Sequence, residues 1–393
     1  MKKLLALSLV ALAACSCAGK GEVDKPILAS PTSDRVQNLT ALTSSRLASL
    51  TLKDVVPALS SMNNGVVSPA SYLLAVAGLQ AVSSNMDFSA SLGLQEGDLK
   101  ELMEAWNYSY AVDGKGMSSD ERSEMKALVL HQQVGETYKF DAEKRKAVAD
   151  DYVSTMKSSL SGYHQDAKNF FRDAGFQLEP PDPQLTVDGV LTYGALKMKD
   201  CVEQLHSGNK PFLDKNVNAY CFGSDYDPQS VSYAKGPDFC AFTLPVRFTS
   251  LLVVLPDEGV SLNDVDLGEA FDYFRANHTD ELAMGYLPYF HVASQSVDLT
   301  RSLADKLTGD EIPFDHLLQK GVVNNLGLDR VLQSSDFEFN RHGVSGESIT
   351  VIAYSGSAGP QEHEIKRIEV NRPFYCLSMK NGFPLFANKV TAL

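Results

Sequence analysis

The side chains in this sequence that could do covalent chemistry are serines near lysines. Ser123 with Lys126, and Ser154 with Lys157, stand in a Ser-x-x-Lys spacing, and Ser207-Gly208-Asn209 supplies a Ser-x-Asn triplet. Together they are parts of a serine acyl-enzyme site, but no Lys-Thr-Gly follows, and a chain this rich in serine meets such triplets by chance. Ser355-Gly356-Ser357-Ala358-Gly359 has Ser where a nucleophile elbow needs its first Gly. There is no phosphate loop, no His-x-x-x-His pair and no dinucleotide fingerprint, and His363-Glu364 sits in a charged turn. Of the six cysteines, Cys201, Cys221, Cys240 and Cys376 lie in the body, and no pair has the two-residue spacing of a zinc or redox motif. They pair as disulfides or stay as buried thiols; the spacing favours neither. The residues therefore predict no enzyme, no metal and no cofactor.

Composition narrows the partners. The chain has 393 residues, 35 Lys+Arg against 49 Asp+Glu, and a net charge of −14. With 44% apolar and 21% charged residues it is neither a disordered chain nor a multi-span membrane protein. An acidic chain repels nucleic acid and anionic lipid, which excludes DNA or RNA as the expected partner. At the start, Lys2 and Lys3 precede an apolar run, Leu4 to Ala14, too short to span a bilayer and typical of a secretory h-region. It ends Leu12-Ala13-Ala14-Cys15, which resembles the bacterial lipoprotein box; Cys17 fits less well. The resemblance implies a signal peptide over 1–14, palmitate-type acylation of Cys15, and an exported protein anchored to the outer membrane or cell surface.

The elements that would hold a site come next. Residues 15–40 read as a flexible tether, and 41–393 as one domain with no internal repeat. Ser68-Pro69-Ala70-Ser71 opens an apolar helix, with Ser as N-cap and Pro in the first turn. Residues 141–161 carry helical spacing. Later the chain turns strand-like: Ser250 to Leu255 is a buried strand stopped by Pro256, Tyr289 to Val292 and 330–340 look extended, and 371–390 reads as two strands about Lys380-Asn381-Gly382. The Pro-rich run Glu179 to Pro183 reads as a turn. Helices early and strands later predict an α+β fold, the helices packed on large mixed sheets. Residues 343–360 fit neither pattern. They are small and β-branched with one charge, between two core strands, and a long connection with strand character is often functional.

Four ordered blocks resemble the serpin family of large single-domain protease inhibitors. They are Asn64 to Ser71; Leu251 to Gly259; Leu287 to Val292 through to Leu303; and Val331 to Val390, with Phe337-Glu338-Phe339-Asn340, Gly343, Asn371-Arg372-Pro373-Phe374 and Pro384-Leu385-Phe386. In that family the misfit segment is the exposed reactive-centre loop, here about 343–365. The resemblance implies a monomeric suicide-substrate inhibitor of serine or cysteine proteases, whose cleaved loop enters the central sheet as a strand. It implies a hinge over Gly343, Val344, Ser345, Gly346, Glu347 and Ser348, and a scissile bond at Ser357-Ala358 or, alternatively, Tyr354-Ser355. Strand alternation allows Val344, Gly346, Ser348 and Thr350 inward and the charged Glu347 outward. Ser68, Ser71, Thr192 and Gln333 fall in the sheet-opening region. Several positions depart from the family pattern: Arg341-His342 replaces an acidic pair, Gln333 stands near an expected His, and of the family motif aligned with Thr192 to Asp200 only Lys197 matches. These departures support an alternative, a non-inhibitory serpin-fold surface lipoprotein.

Overall fold

The structure is a computed structural model that describes residues 47–48, 51–83, 123–148, 153–202, 204–307, 311–319, 325–347, 365–380 and 382–393. Its helices are α1 (Pro57–Ser60), α2 (Pro69–Val82), α3 (Ala142–Val148), α4 (Tyr163–Asp173), α5 (Leu267–Asn277) and α6 (Thr300–Ala304). Its strands begin with β1 (Gly65–Val67), β2 (Glu124–Val134), β3 (Val153–Ser158), β4 (Gly189–Cys201), β5 (Ser207–Phe212) and β6 (Lys215–Phe222). They continue with β7 (Gln229–Lys235), β8 (Phe239–Pro245), β9 (Ser250–Pro256), β10 (Thr279–Pro288), β11 (Phe290–Asp298) and β12 (Glu311–Pro313). The last are β13 (Asn325–Gly327), β14 (Leu332–Asn340), β15 (Gly343–Glu347), β16 (Lys366–Glu369), β17 (Phe374–Lys380) and β18 (Phe383–Val390).

Among the described residues, two sheets dominate. One orders its strands β11-β14-β15-β4-β2-β3; the other runs β1-β18-β17-β9-β8-β7-β10-β6-β5, with β16 parallel to β10. Inward side chains of both, such as Leu196, Phe337, Phe339, Val253 and Phe386, join one buried cluster with α2. The opposite face of the six-stranded sheet is covered by α4, whose Phe171 packs with Leu128, Leu130, Met156 and Phe176. The six-stranded sheet therefore lies between two helices, and anything entering it must fit both sides.

Local chemistry explains the start of α2. Ser68 is extended (φ −116°, ψ 104°), its Oγ accepts from the Ser71 amide at 3.1 Å, and Pro69 fills the first turn, where no N–H is needed. The β17–β18 hairpin is fully buried along both strands.

Three sequence expectations are corrected. Among the described residues of 141–161, helical spacing yields helix at Ala142–Val148, and Val153–Ser158 is an edge strand instead. Its parallel pairing with β2 and the burial of Val153 and Met156 outweigh local propensity. The early chain is not purely helical, because the 11-residue β2 precedes α3 and α4. Most consequentially, Gly343–Glu347 is not exposed loop. It is a strand inside the six-stranded sheet, hydrogen-bonded on both edges.

Candidate functional site

β15 lies between β14 and β4 and is antiparallel to both. Val344 is register partner of Phe339 on one side and Asp200 on the other; Gly346 partners Phe337 and Met198. Val344 is 3% exposed, within the core cluster. At Gly346 a Cβ would lie 2.8 Å from Phe386 Cζ and 3.0 Å from Phe337 Cδ2, so two aromatic rings occupy the space a side chain would need. Gly343 has φ +113°, and its Cβ would meet the Asp200 carbonyl oxygen at 2.1 Å; only glycine makes this entry without strain. The preceding turn is tied down as His342 and Arg341 carbonyls accept from the amides of Val202 and Leu205 at 3.0 and 2.8 Å.

Below Glu347 this pairing has no further described partner, while β4 continues back to Gly189 and β14 to Leu332. A cavity of about 460 Å³ opens there, with Ala75 of α2, Thr192 and Gly194 of β4 and Gln333 of β14 among its lining. Its outer side is lined by Phe176 and the Pro180–Pro183 run. That run is more than the turn its composition predicts. It crosses above the sheet, anchored where Tyr163 Oη donates to Asp182 Oδ1 at 2.6 Å and Lys168 meets Glu179 at 2.6 Å.

At the cavity floor a polar latch joins three sequence-predicted residues. Gln333 Oε1 accepts from the Ser68 amide at 2.7 Å, and Gln333 Nε2 donates to the Ser68 carbonyl at 2.8 Å. The side chain thus imitates a strand neighbour. Ser68 Oγ donates to the Leu385 carbonyl at 2.9 Å, and Ser71 Oγ donates to that of Gly194 at 2.8 Å. Gly194 has no room for a Cβ, which would meet Ala75 N at 2.3 Å, so β4 and α2 touch backbone to backbone. Thr192 stands slightly apart, its hydroxyl 3.0 Å from Nδ1 of its register partner His131. His131 was not singled out by sequence reasoning; a histidine directly after the apolar run Ala127 to Leu130 was its only signal. Complete burial lowers its pKa to about 3, so the ring is neutral, and its Nε2 has no partner among the described residues. Gln333→Ala would strand the Ser68 amide in the core and leave its carbonyl the Tyr72 amide alone, at 3.2 Å. The expected cost is about 1–3 kcal/mol, read as a lower urea midpoint at unchanged slope.

Asp200 caps the mouth of the slot. It is completely buried, and its Oδ2 accepts from the amides of Arg247, Phe248 and Thr249 and from Thr249 Oγ1, at 2.7 to 3.3 Å. Three backbone donors and a hydroxyl tie the β8–β9 turn to the end of β4.

The serine-lysine pairs form no acyl-transfer site. Ser123 Oγ is bonded to the Cys201 amide and Asp200, while Lys126 Nζ donates to the Ala174 carbonyl. Ser154 is buried and Ser207 pairs with Tyr289 Oη at 2.6 Å. No disulfide joins the four body cysteines, and burial raises the pKa of Cys201, Cys240 and Cys376. Ser348, the scissile candidates Ser357-Ala358 and Tyr354-Ser355, and Cys15 lie outside the described residues.

A large sheet that holds the short strand β15 at one end with an open slot beneath it, stacked on a second sheet, is the serpin fold. Solved structures agree along nearly the whole length. Serpin48 of the insect Tenebrio molitor superposes with a TM-score of 0.66 at 17% identity, covering 92% of this chain and 100% of that one. The thermophilic serpin tengpin in its native state gives 0.64 at 16%, covering 93% and 96%. Thyroxine-binding globulin in complex with thyroxine gives 0.61 at 13%, covering 90% and 98%. No protein-family description and no curated protein matches the sequence.

Proposed function

We propose that this protein inhibits serine-type endopeptidases as a suicide substrate, its cleaved loop completing the six-stranded sheet. The observation that carries the reading is β15: the first five hinge residues already sit as a strand, and the slot continues below them. The chemistry belongs to the protease. Its serine Oγ attacks a loop carbonyl carbon, the peptide C–N bond breaks, and the amine leaves on the C-terminal segment with a proton from the protease's histidine. An ester then links protease to inhibitor. The freed arm zips into the slot; about fifteen residues at about 3.3 Å each carry the ester roughly 50 Å from its starting point. The protease is distorted before water reaches the ester. Small residues at Ser357-Ala358 suit an elastase-like pocket, and Tyr354-Ser355 a chymotrypsin-like one. Cys15 would anchor the inhibitor by lipid to the cell envelope.

Mixing the protein with an elastase-type protease should give a covalent complex that survives boiling detergent. Complete cleavage with steady protease turnover and no such band would overturn the reading. The alternative, a serpin fold kept for binding, draws on the Gln333–Ser68 latch, whose two hydrogen bonds tie β14 to the start of α2 and so resist its movement where the sheet has to widen. It predicts no gain in heat stability when the loop is nicked.

A further inference from the structure

Lys126 of β2 and Lys197 of β4 are direct register partners on adjacent strands. Like charges so placed weaken a sheet. Both find acceptors at the same place above the sheet. Lys126 Nζ donates to the Ala174 carbonyl and Lys197 Nζ to that of Gly175 at 2.7 Å. These carbonyls close the C-terminal end of α4, the negative end of its dipole. Glu124 adds a contact to Lys197 at 3.1 Å. Burial, followed by the charge of Lys197, lowers the pKa of Lys126, which marks how closely the two amines are packed beneath the helix.

The other end of α4 is held separately. Gln132 Nε2 donates to the Tyr163 carbonyl at 2.8 Å, and Ser158 Oγ donates to Asp166 at 2.7 Å. From the clasped end the chain runs on through Phe176 and Leu178 to the Pro-rich run roofing the cavity. A strand entering between β4 and β14 turns every second side chain toward that roof. The roof must therefore rise, and α4 can tilt only about its Tyr163 end if its Gly175 end lets go.

We propose that Lys126 and Lys197 form a clasp that sets how fast the slot fills, because both amines must leave the Ala174 and Gly175 carbonyls before a strand passes beneath. The clasp rests on the insertion reading given above. It makes the two lysines positioning residues for insertion, with no contact to the protease.

The test uses the full chain, nicked in its loop by a broad protease in the cold, then sampled over time for heat stability. The wild type should gain stability as the arm inserts. Lys126→Met and Lys197→Met should gain it about tenfold faster each, the rate equivalent of one charge-assisted hydrogen bond. Lys126→Arg and Lys197→Arg, which can still donate, should return close to the wild-type rate. Before nicking, amide exchange at Ala174, Gly175 and Phe176 should speed up in the Met variants and not in the Arg variants. Lys126→Gln and Lys197→Gln serve if a Met variant does not fold. A wild type that gains stability alongside Met variants with unchanged rates overturns the clasp alone. A wild type that gains none overturns the insertion reading, and the clasp's role with it.

Discussion

Val344→Arg should convert the protein from trap to substrate. The position is 3% exposed and packed within the core cluster between Phe339 and Asp200 in register. An arginine seated there would bury a charge at a cost of several kcal/mol. Asp200 offers little compensation, because its Oδ2 is already bound by three amides and a hydroxyl. The cheaper state keeps the hinge out of the sheet. A protease would then still cut the loop, but the arm would not zip in before deacylation. We expect the covalent band to fall at least tenfold, with cleaved monomer in its place and no gain in melting temperature after nicking. Gly346→Phe should act alike for a steric reason, since Phe386 and Phe337 hold its space. Ser345→Arg is the decisive control. Ser345 is only half-buried and alternates to the other face, so its variant should retain the covalent band. Equal loss of the band in Ser345→Arg and Val344→Arg would show that the strand seen here has no part in trapping.

That alternation also shows what could be read from the sequence. The Ser68 cap, the β9 strand ending at Pro256 and the β17–β18 hairpin each rest on contacts within a few residues, and local pattern was enough to place them. Residues 343–347 look strand-capable in sequence, but nothing local says that β14 and β4 have parted to admit them. β3 was missed for a similar reason: its charges and apolar residues suit a helix, and only the parallel pairing with β2 makes it a strand. The latch was half legible. Ser68, Ser71 and Gln333 could be named, but the Gln333 amide spanning 265 positions to grip both backbone groups of Ser68 could not. His131, Gly194 and the two lysines under α4 were invisible as a set, because their roles come from register across β2 and β4 rather than from any spacing along the chain.

Lys380→Met should make the protein more stable at neutral pH and flatten its pH dependence above it. Lys380 ends β17 at 4% exposure, its amine 5.9 Å from the centre of the Phe248 ring. Burial pushes its pKa from 10.5 down to about 7, against the opposing pull of the Asp200 carboxylate. Between those two values the unfolded chain holds a proton that the folded chain has released. Folding stability from this group therefore rises as pH climbs from about 7 to about 10.5, and below about 7 the full cost of burying the charge is present. A depression of that size is on the order of 5 kcal/mol. Methionine keeps an apolar stem against Phe248 and removes the proton, while Asp200 keeps its amide and hydroxyl donors from the β8–β9 turn. Urea unfolding of the two proteins at steps from pH 6.5 to 10.5 should show curves several kcal/mol apart at the acid end and converging at the alkaline end. Parallel curves would mean that Lys380 keeps its ordinary proton affinity in the fold. Because Asp200 is the register partner of Val344, any loosening around Lys380 reaches the sheet at the mouth of the slot. The same pH series should therefore show the protection of the Val344 amide, taken relative to its base-catalysed intrinsic exchange rate, rising as Lys380 discharges, and that rise in protection should disappear in the methionine variant.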